Sequence, residues 1–225
     1  MAKPMFDADA LISMFEGASA RQGAQLKKAA SDATLAAMQG RELTLKNIRG
    51  ALKQVADAAS TGVAKNITAG VDPEALLDKA VAGMDEAMLK AVEANRTALS
   101  TLMAQGADMR DKHLVKALDD LEKMEDSLFG AVKKAADGAG APMAAAWAPI
   151  LEKMQAGGTL SGAQAAVTAE QMAAQMQTAM RSTRAASMKA AQALAESYTA
   201  MVSGVLIGMS EALQSGGQGK KPGKK

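Results

Sequence analysis

An elongated, all-α antiparallel helical bundle is the fold this sequence predicts, and three observations predict it. Helix formers dominate while β-branched and aromatic residues are few: three Phe, one Trp and one Tyr in 225 residues. Only five prolines interrupt the chain. Cap signals and apolar stripes at three-four spacing recur along it. The apolar fraction of 48% overstates the core, because 52 of those residues are Ala, which buries little area. Seventeen Met supply soft apolar surface where large anchors are scarce.

The first helix is predicted to start after Asp7 as its cap, to carry Leu11, Ile12 and Phe15, and to run through Leu26 and Leu35 to Met38. Gly17 and Gly23 weaken it and Gly40 suits its end. Thr44 reads as the next N-cap, with Leu43 and Ile48 as a hydrophobic staple. Ile48, Leu52, Val55, Ala59, Val63 and Ile67 form the buried stripe of that second helix. Val71-Asp-Pro-Glu74 is the strongest start signal: Asp72 caps, Pro73 takes the first helical position and Glu74 suits the positive end of the dipole. Leu77, Val81, Met84, Met88, Val92, Leu99 and Leu102 follow as an inner stripe up to Gly106. A fourth helix is expected from about Asp111, presenting Leu114, Leu118, Leu121, Leu128 and Val132. Short loops make these neighbours reverse, so residues 1–138 read as a charged, well-capped four-helix region.

The composition then changes. Residues 139–219 hold eight charges where the preceding 138 hold 38. This part, 139–214, is expected to be a short helix around Met143–Gln155 bearing Trp147, a Gly157-Gly158 break, and a long helix from about Ser161 to Gln214. Unbroken, the last would span ~80 Å, with a kink conceivable near Arg181–Ser187. It would pack on the first region or on a partner. Residues 215–225 are expected to be a disordered basic tail.

Two features of the long helix are candidate contacts. Met172, Met176, Met180 and Met188 form a ridge, read either as a packing stripe or as an adaptable contact surface. Tyr198, Met201, Val202, Val205, Leu206, Met209 and Leu213 share a second face. Beside it, Ala200, Gly204, Gly208 and Ala212 recur every fourth residue, a spacing that lets two helices approach closely. The seam suits packing within the monomer, self-association, or insertion into an amphiphilic interface.

Composition argues against chemistry. The absence of Cys removes disulfides, thiolate metal sites and a thiol nucleophile, and fits a reducing cytoplasm. His113 is the only histidine, too few for a di-metal carboxylate bundle. Asp119, Glu122 and Asp126, with Asp120 and Glu125 alongside, read as a solvated face interleaved with lysines. The Gly-rich stretches lack the setting of a phosphate cradle. No catalytic, cofactor-binding or metal-binding residues are therefore assigned, and the expectation is a protein that is not an enzyme. A net charge of +2, carried by the terminal lysines, argues against nucleic acid. The longest uncharged stretches, sixteen residues from Met154 and fourteen from Ser197, fall short of the ~18–20 needed to cross a bilayer. The N-terminus lacks the apolar region of a signal peptide.

The Cys-free, Ala/Met/Gln-rich helices of residues 143–214 and the Lys221-Pro-Gly-Lys-Lys225 ending resemble the phasins, helical proteins that coat bacterial polyhydroxyalkanoate granules. Apolipoprotein-like and uncharacterised bacterial helical families are also similar. The phasin resemblance implies a non-catalytic, cytoplasmic surfactant whose Met and Ala faces lie on a granule or lipid surface. The competing expectation is a helical scaffold that pairs with itself or with a helical protein partner.

Overall fold

The computed structural model describes residues 6–39, 44–66, 70–105, 112–182, 198, 200–207 and 209. Eight α-helices are defined among them, without strands: α1 Ala8–Glu16, α2 Gly23–Met38, α3 Leu45–Asn66, α4 Pro73–Ala104, α5 Lys112–Glu122, α6 Met124–Gly138, α7 Ala141–Gly157 and α8 Leu160–Ser182. Residues 200–207 are helical as well. The fold is an all-α bundle.

Helix starts follow the capping chemistry. Asp7 accepts from the Ala10 amide at 3.0 Å, and Asp72 accepts from the Glu74 amide at 3.0 Å with Pro73 behind it. Thr44 Oγ1 accepts from the Asn47 amide at 3.3 Å. Gly140, at φ 76°, turns the chain into α7, where Pro142 occupies the first turn. Helix α7 continues through Pro149.

Two of the four helices expected before residue 138 are each divided. The first stops at Gly17, and a single 3-10 turn over Ala20–Gln22 redirects the chain into α2. The Ser19 amide donates to Gln22 Oε1 at 2.9 Å, a reciprocal cap that starts a new helix inside the expected one. The break lets α1 pack on α3 while α2 packs on α4. Asn66, buried at the end of α3, closes it: its Nδ2 donates to the carbonyls of Phe15 and Ala18, both at 2.9 Å. The fourth helix breaks at Lys123, between α5 and α6.

Helix α4 is the hub. It meets α2, α3, α7 and α8, and its predicted stripe of Leu77, Val81, Met84, Met88, Val92, Leu99 and Leu102 is buried. Ala80, Gly83, Ala87, Ala91, Ala94 and Ala98 are buried alongside it. Small side chains there substitute close backbone approach for large anchors. A Cβ on Gly83 would fall 2.7 Å from Ala30 Cβ and 2.9 Å from the Ser31 nitrogen of α2. Gly62 does the same for α1 and α3, where a Cβ would lie 2.6 Å from Phe15 Cβ. Trp147 of α7 is fully buried, and its Nε1 donates to Ser60 Oγ of α3 at 3.0 Å. The low-charge region thus packs on the first six helices through α7 and α8.

The expected stripe residues Ile48, Leu52, Val55, Ala59, Val63, Leu121, Leu128 and Val132 are all buried, and Leu118 is partly so. Gly40, Leu43, Ile67, Gly106, Asp111 and the basic tail lie outside the described residues, as do the side chains of His113 and Leu114.

Candidate functional site

The features that stand apart from ordinary core packing lie in the low-charge C-terminal region, at the root of α8 and along it. Gly158, at φ 67°, ends α7, and two residues later α8 begins. Four amides of a first helical turn lack partners within the helix. Here they are those of Thr159, Leu160, Ser161 and Gly162; Thr159 Oγ1 accepts from Gly162 at 3.0 Å, and the Thr159 carbonyl takes the first i→i−4 bond of the helix, from Ala163, at 3.1 Å. Two of the remaining three are met from α4. The two carboxylate oxygens of Asp85 accept from Leu160 at 3.0 Å and from Ser161 at 2.9 Å. Negative charge at this end also complements the helix dipole. Glu125 of α6 accepts from the Thr159 amide at 2.8 Å. Its carboxylate lies where a Cβ on Gly162 would come within 2.7 Å of Oε1.

Glu125 therefore departs from the solvated carboxylate face expected of it. Its neighbours Asp119 and Asp120 form ion pairs at 2.6 Å with Lys123 and Lys116. Among the described residues no group of three or more His, Cys, Asp or Glu side chains stands together as a metal site would.

Along α8 the side chains divide sharply. Ser161, Ala165, Thr168, Ala169 and Met172 are buried, so Met172 of the predicted ridge faces the bundle. The side chains of Met176 and Met180, and the whole of Met188, lie outside the described residues. The opposite face is exposed and nearly free of charge: from Leu160 to Thr178 the only ionisable residue is Glu170. Leu160 is 71% exposed and Val167 46%.

The second predicted face is turned inward. Val202 and Leu206 are buried, and Tyr198, Met201 and Val205 pack partly buried against the core. Met209 is partly buried. The Tyr198 hydroxyl donates to Asn95 Oδ1 of α4. Burial, with a smaller contribution from the Asp120 charge, raises the Tyr198 phenol well above its ordinary value. Ala200 and Gly204 face outward, and a Cβ on Gly204 would meet no atom within 4 Å. Among the described glycines, those at which a Cβ would meet a neighbouring helix's backbone are Gly62 and Gly83. Gly208, Ala212 and Leu213 lie outside the described residues.

Leu160 sits at Asp85 and Tyr198 at Asn95, ten residues along α4, or about 15 Å. A straight helix from 160 to 198 would separate its ends by about 57 Å. The described parts of the C-terminal region therefore do not lie on one straight helix.

A shallow groove of about 540 Å³ runs between α1 and α2 over Leu11, Met14, Ala29 and Ala33, with Lys28 and Asp32 at its rim. Those two rim charges pair with each other at 2.6 Å. No described helix is long and apolar enough to cross a membrane.

A model of one protein family matches residues 1–215, the bundle and the C-terminal region together. The chain belongs to this family of unknown function, DUF6781. The match extends over the low-charge region as well as the first six helices. No curated protein and no solved structure matches the chain.

Proposed function

We propose that this chain is a non-catalytic amphipathic helical protein that binds a hydrophobic surface, a polymer granule or a lipid-like layer, through its Ala/Met-rich C-terminal region. One observation carries the reading: the exposed face of α8 holds Leu160 and Val167 with a single charge between residues 160 and 178. Other solvent-facing helices carry regular ion pairs, such as Lys28–Asp32 on α2 and Lys53–Asp57 on α3. A face without such charges forfeits little hydration when it meets an apolar layer. The resemblance to phasins supports the same reading, with binding at a granule surface in the cytoplasm.

Attachment of this kind is reversible and scales with apolar area, at about 0.8 kcal/mol per buried CH2. Two exposed aliphatic side chains give weak attachment. Stronger binding needs the inward residues Met172, Val202 and Leu206 as well. The test is partition of the full-length protein onto alkyl-coated beads and phosphatidylcholine vesicles. Leu160→Lys with Val167→Lys should reduce bound protein several-fold, because both sites are exposed and neither holds the fold. Equal partition of variant and wild type would overturn the proposal.

A second reading, a scaffold acting through helix–helix contacts, is favoured by the small exposed residues Ala163, Ala166, Ala173 and Ala174 on the same helix. It predicts a concentration-dependent mass in sedimentation that the same double variant abolishes without any surface present.

A further inference from the structure

We propose that the α7–α8 junction is a hinge with an internal latch, in which Gly157-Gly158 is the pivot and the carboxylates of Asp85 and Glu125 hold α8 down. The proposal deepens the surface-binding reading and rests on it for its purpose, though not for its geometry.

The pivot is visible in the backbone. Gly158 adopts a left-handed φ of 67°, and a Cβ on Gly157 would meet no atom within 4 Å; at Gly158 the neighbour is Glu125 itself, whose Oε1 would lie 3.1 Å from a Cβ. The latch consists of three charge-assisted hydrogen bonds from two different helices. Asp85 takes the Leu160 and Ser161 amides, and Glu125 takes that of Thr159. All three bonds act on the first residues after the pivot, where they set the direction in which α8 leaves. Gly162 completes the fit, since only a residue without a Cβ lets the Glu125 carboxylate sit against the helix.

Among its described residues, α8 adds few large apolar contacts to hold it. Its described inward side chains are Ser161, Ala165, Thr168, Ala169 and Met172, with Met172 the only large apolar group. Helix α3, by contrast, buries Ile48, Leu52, Val55 and Val63. Segments with few buried apolar contacts open at lower free energy than the global fold. Helix α8 is accordingly poised to open first, and the two carboxylates decide how readily it does.

Hydrogen exchange of the full-length protein at neutral pH, with no surface added, tests the latch alone. In Asp85→Ala, amides of residues 160–172 should exchange at least tenfold faster, while those of α1 to α3 keep their wild-type protection. Gly162→Ala attacks the same latch from the other side and should give the same local pattern, and Glu125→Ala a weaker one. Wild-type protection of α8 in both Asp85→Ala and Gly162→Ala would overturn the proposal. So would an equal loss of protection in α8 and α3, which would mean the carboxylates serve the whole fold. Bead partition separates the two ideas: if Asp85→Ala opens α8 without changing partition, the hinge stands and its role in surface binding falls, while the Leu160→Lys with Val167→Lys variant tests the surface-binding reading itself.

Discussion

Replacing Gly83 with Ala is the sharpest test of how a chain so poor in large side chains holds together. The added methyl would lie 2.7 Å from Ala30 Cβ and 2.9 Å from the Ser31 nitrogen, and closer still to the Lys27 carbonyl oxygen. Comfortable carbon contacts are about 3.5–4.0 Å, so α2 and α4 must separate by on the order of 1 Å. Two of the three obstacles are backbone atoms, which cannot rotate aside. Overpacking of this kind costs about 1–3 kcal/mol, against about 1 kcal/mol gained from the better helix propensity of Ala. We expect a net loss of up to about 2 kcal/mol, a fall in Tm of up to roughly 8 °C for a chain of this size. Gly130→Ala in α6 is the control, because a Cβ there meets no atom within 4 Å. It keeps only the propensity gain and should raise Tm by a few degrees. Circular dichroism melts of the two variants decide the matter. If Gly83→Ala raises Tm as Gly130→Ala does, close approach along the Ala80–Ala98 seam is not what α4 depends on.

Three other outcomes are expected. Asn66→Ala removes the donor to the Ala18 carbonyl and leaves that of Phe15 with backbone donors only, and should lower stability in urea unfolding by about 1–3 kcal/mol. Tyr198 is the only tyrosine, so alkaline absorbance titration reads it alone: the folded chain should form phenolate well above pH 10, and the denatured chain near 10. The stability tied to its neutral form is complete below about pH 10 and declines as pH rises further, and a folded midpoint near 10 would refute its burial. For Asp78, burial pushes the carboxyl up, but hydrogen bonds from Lys153 and Lys79 outweigh it and hold it below its usual value. Burial likewise opposes, and Lys27 and Lys90 likewise outweigh, for Glu86. Their contribution is present above about pH 4 and lost as pH falls through the lowered values. These pairs are largely exposed, so Asp78→Asn should lose less than about 1 kcal/mol at pH 7, and none in high salt. Denaturant melts at pH 7 and pH 3 would show the difference.

What could be read from sequence was whatever chemistry acts within one turn. The caps at Asp7, Thr44 and Asp72 and the α4 stripe all depend on residues a few positions apart. The Ser19-x-x-Gln22 pattern was equally local, yet the apolar spacing running from Phe15 to Leu26 masked it, and one helix was expected where two form. The break at Lys123 has no turn residue to announce it. Long-range partnerships were invisible for a different reason. Asn66, Asp85 and Glu125 sit inside or at the end of helices, where a polar residue normally faces water, and their partners lie 34 to 76 positions away in sequence. The 200–212 glycine pattern drew attention by its regular spacing. Gly83 is a single glycine among the alanines of the Ala80–Ala98 seam and Gly62 has no such pattern around it, and only the crossing of two helices reveals their use. The charge-poor composition after residue 138 was legible, but which side of α8 it would leave exposed was not.

The shared cap on α8 also has a consequence for the order in which the molecule is assembled. Half of the first-turn amides of this helix are satisfied by a side chain made 75 residues earlier. Chains emerge N-terminus first, and what emerges first can fold first. By the time Leu160 leaves the ribosome, α4 and α6 are already outside it and able to present Asp85 and Glu125. The C-terminal helix is thus templated rather than self-starting, and the earlier helices serve as its mould. A circular permutant that placed residues 158–182 ahead of α4 would keep every contact of the finished fold and lose that sequence of events.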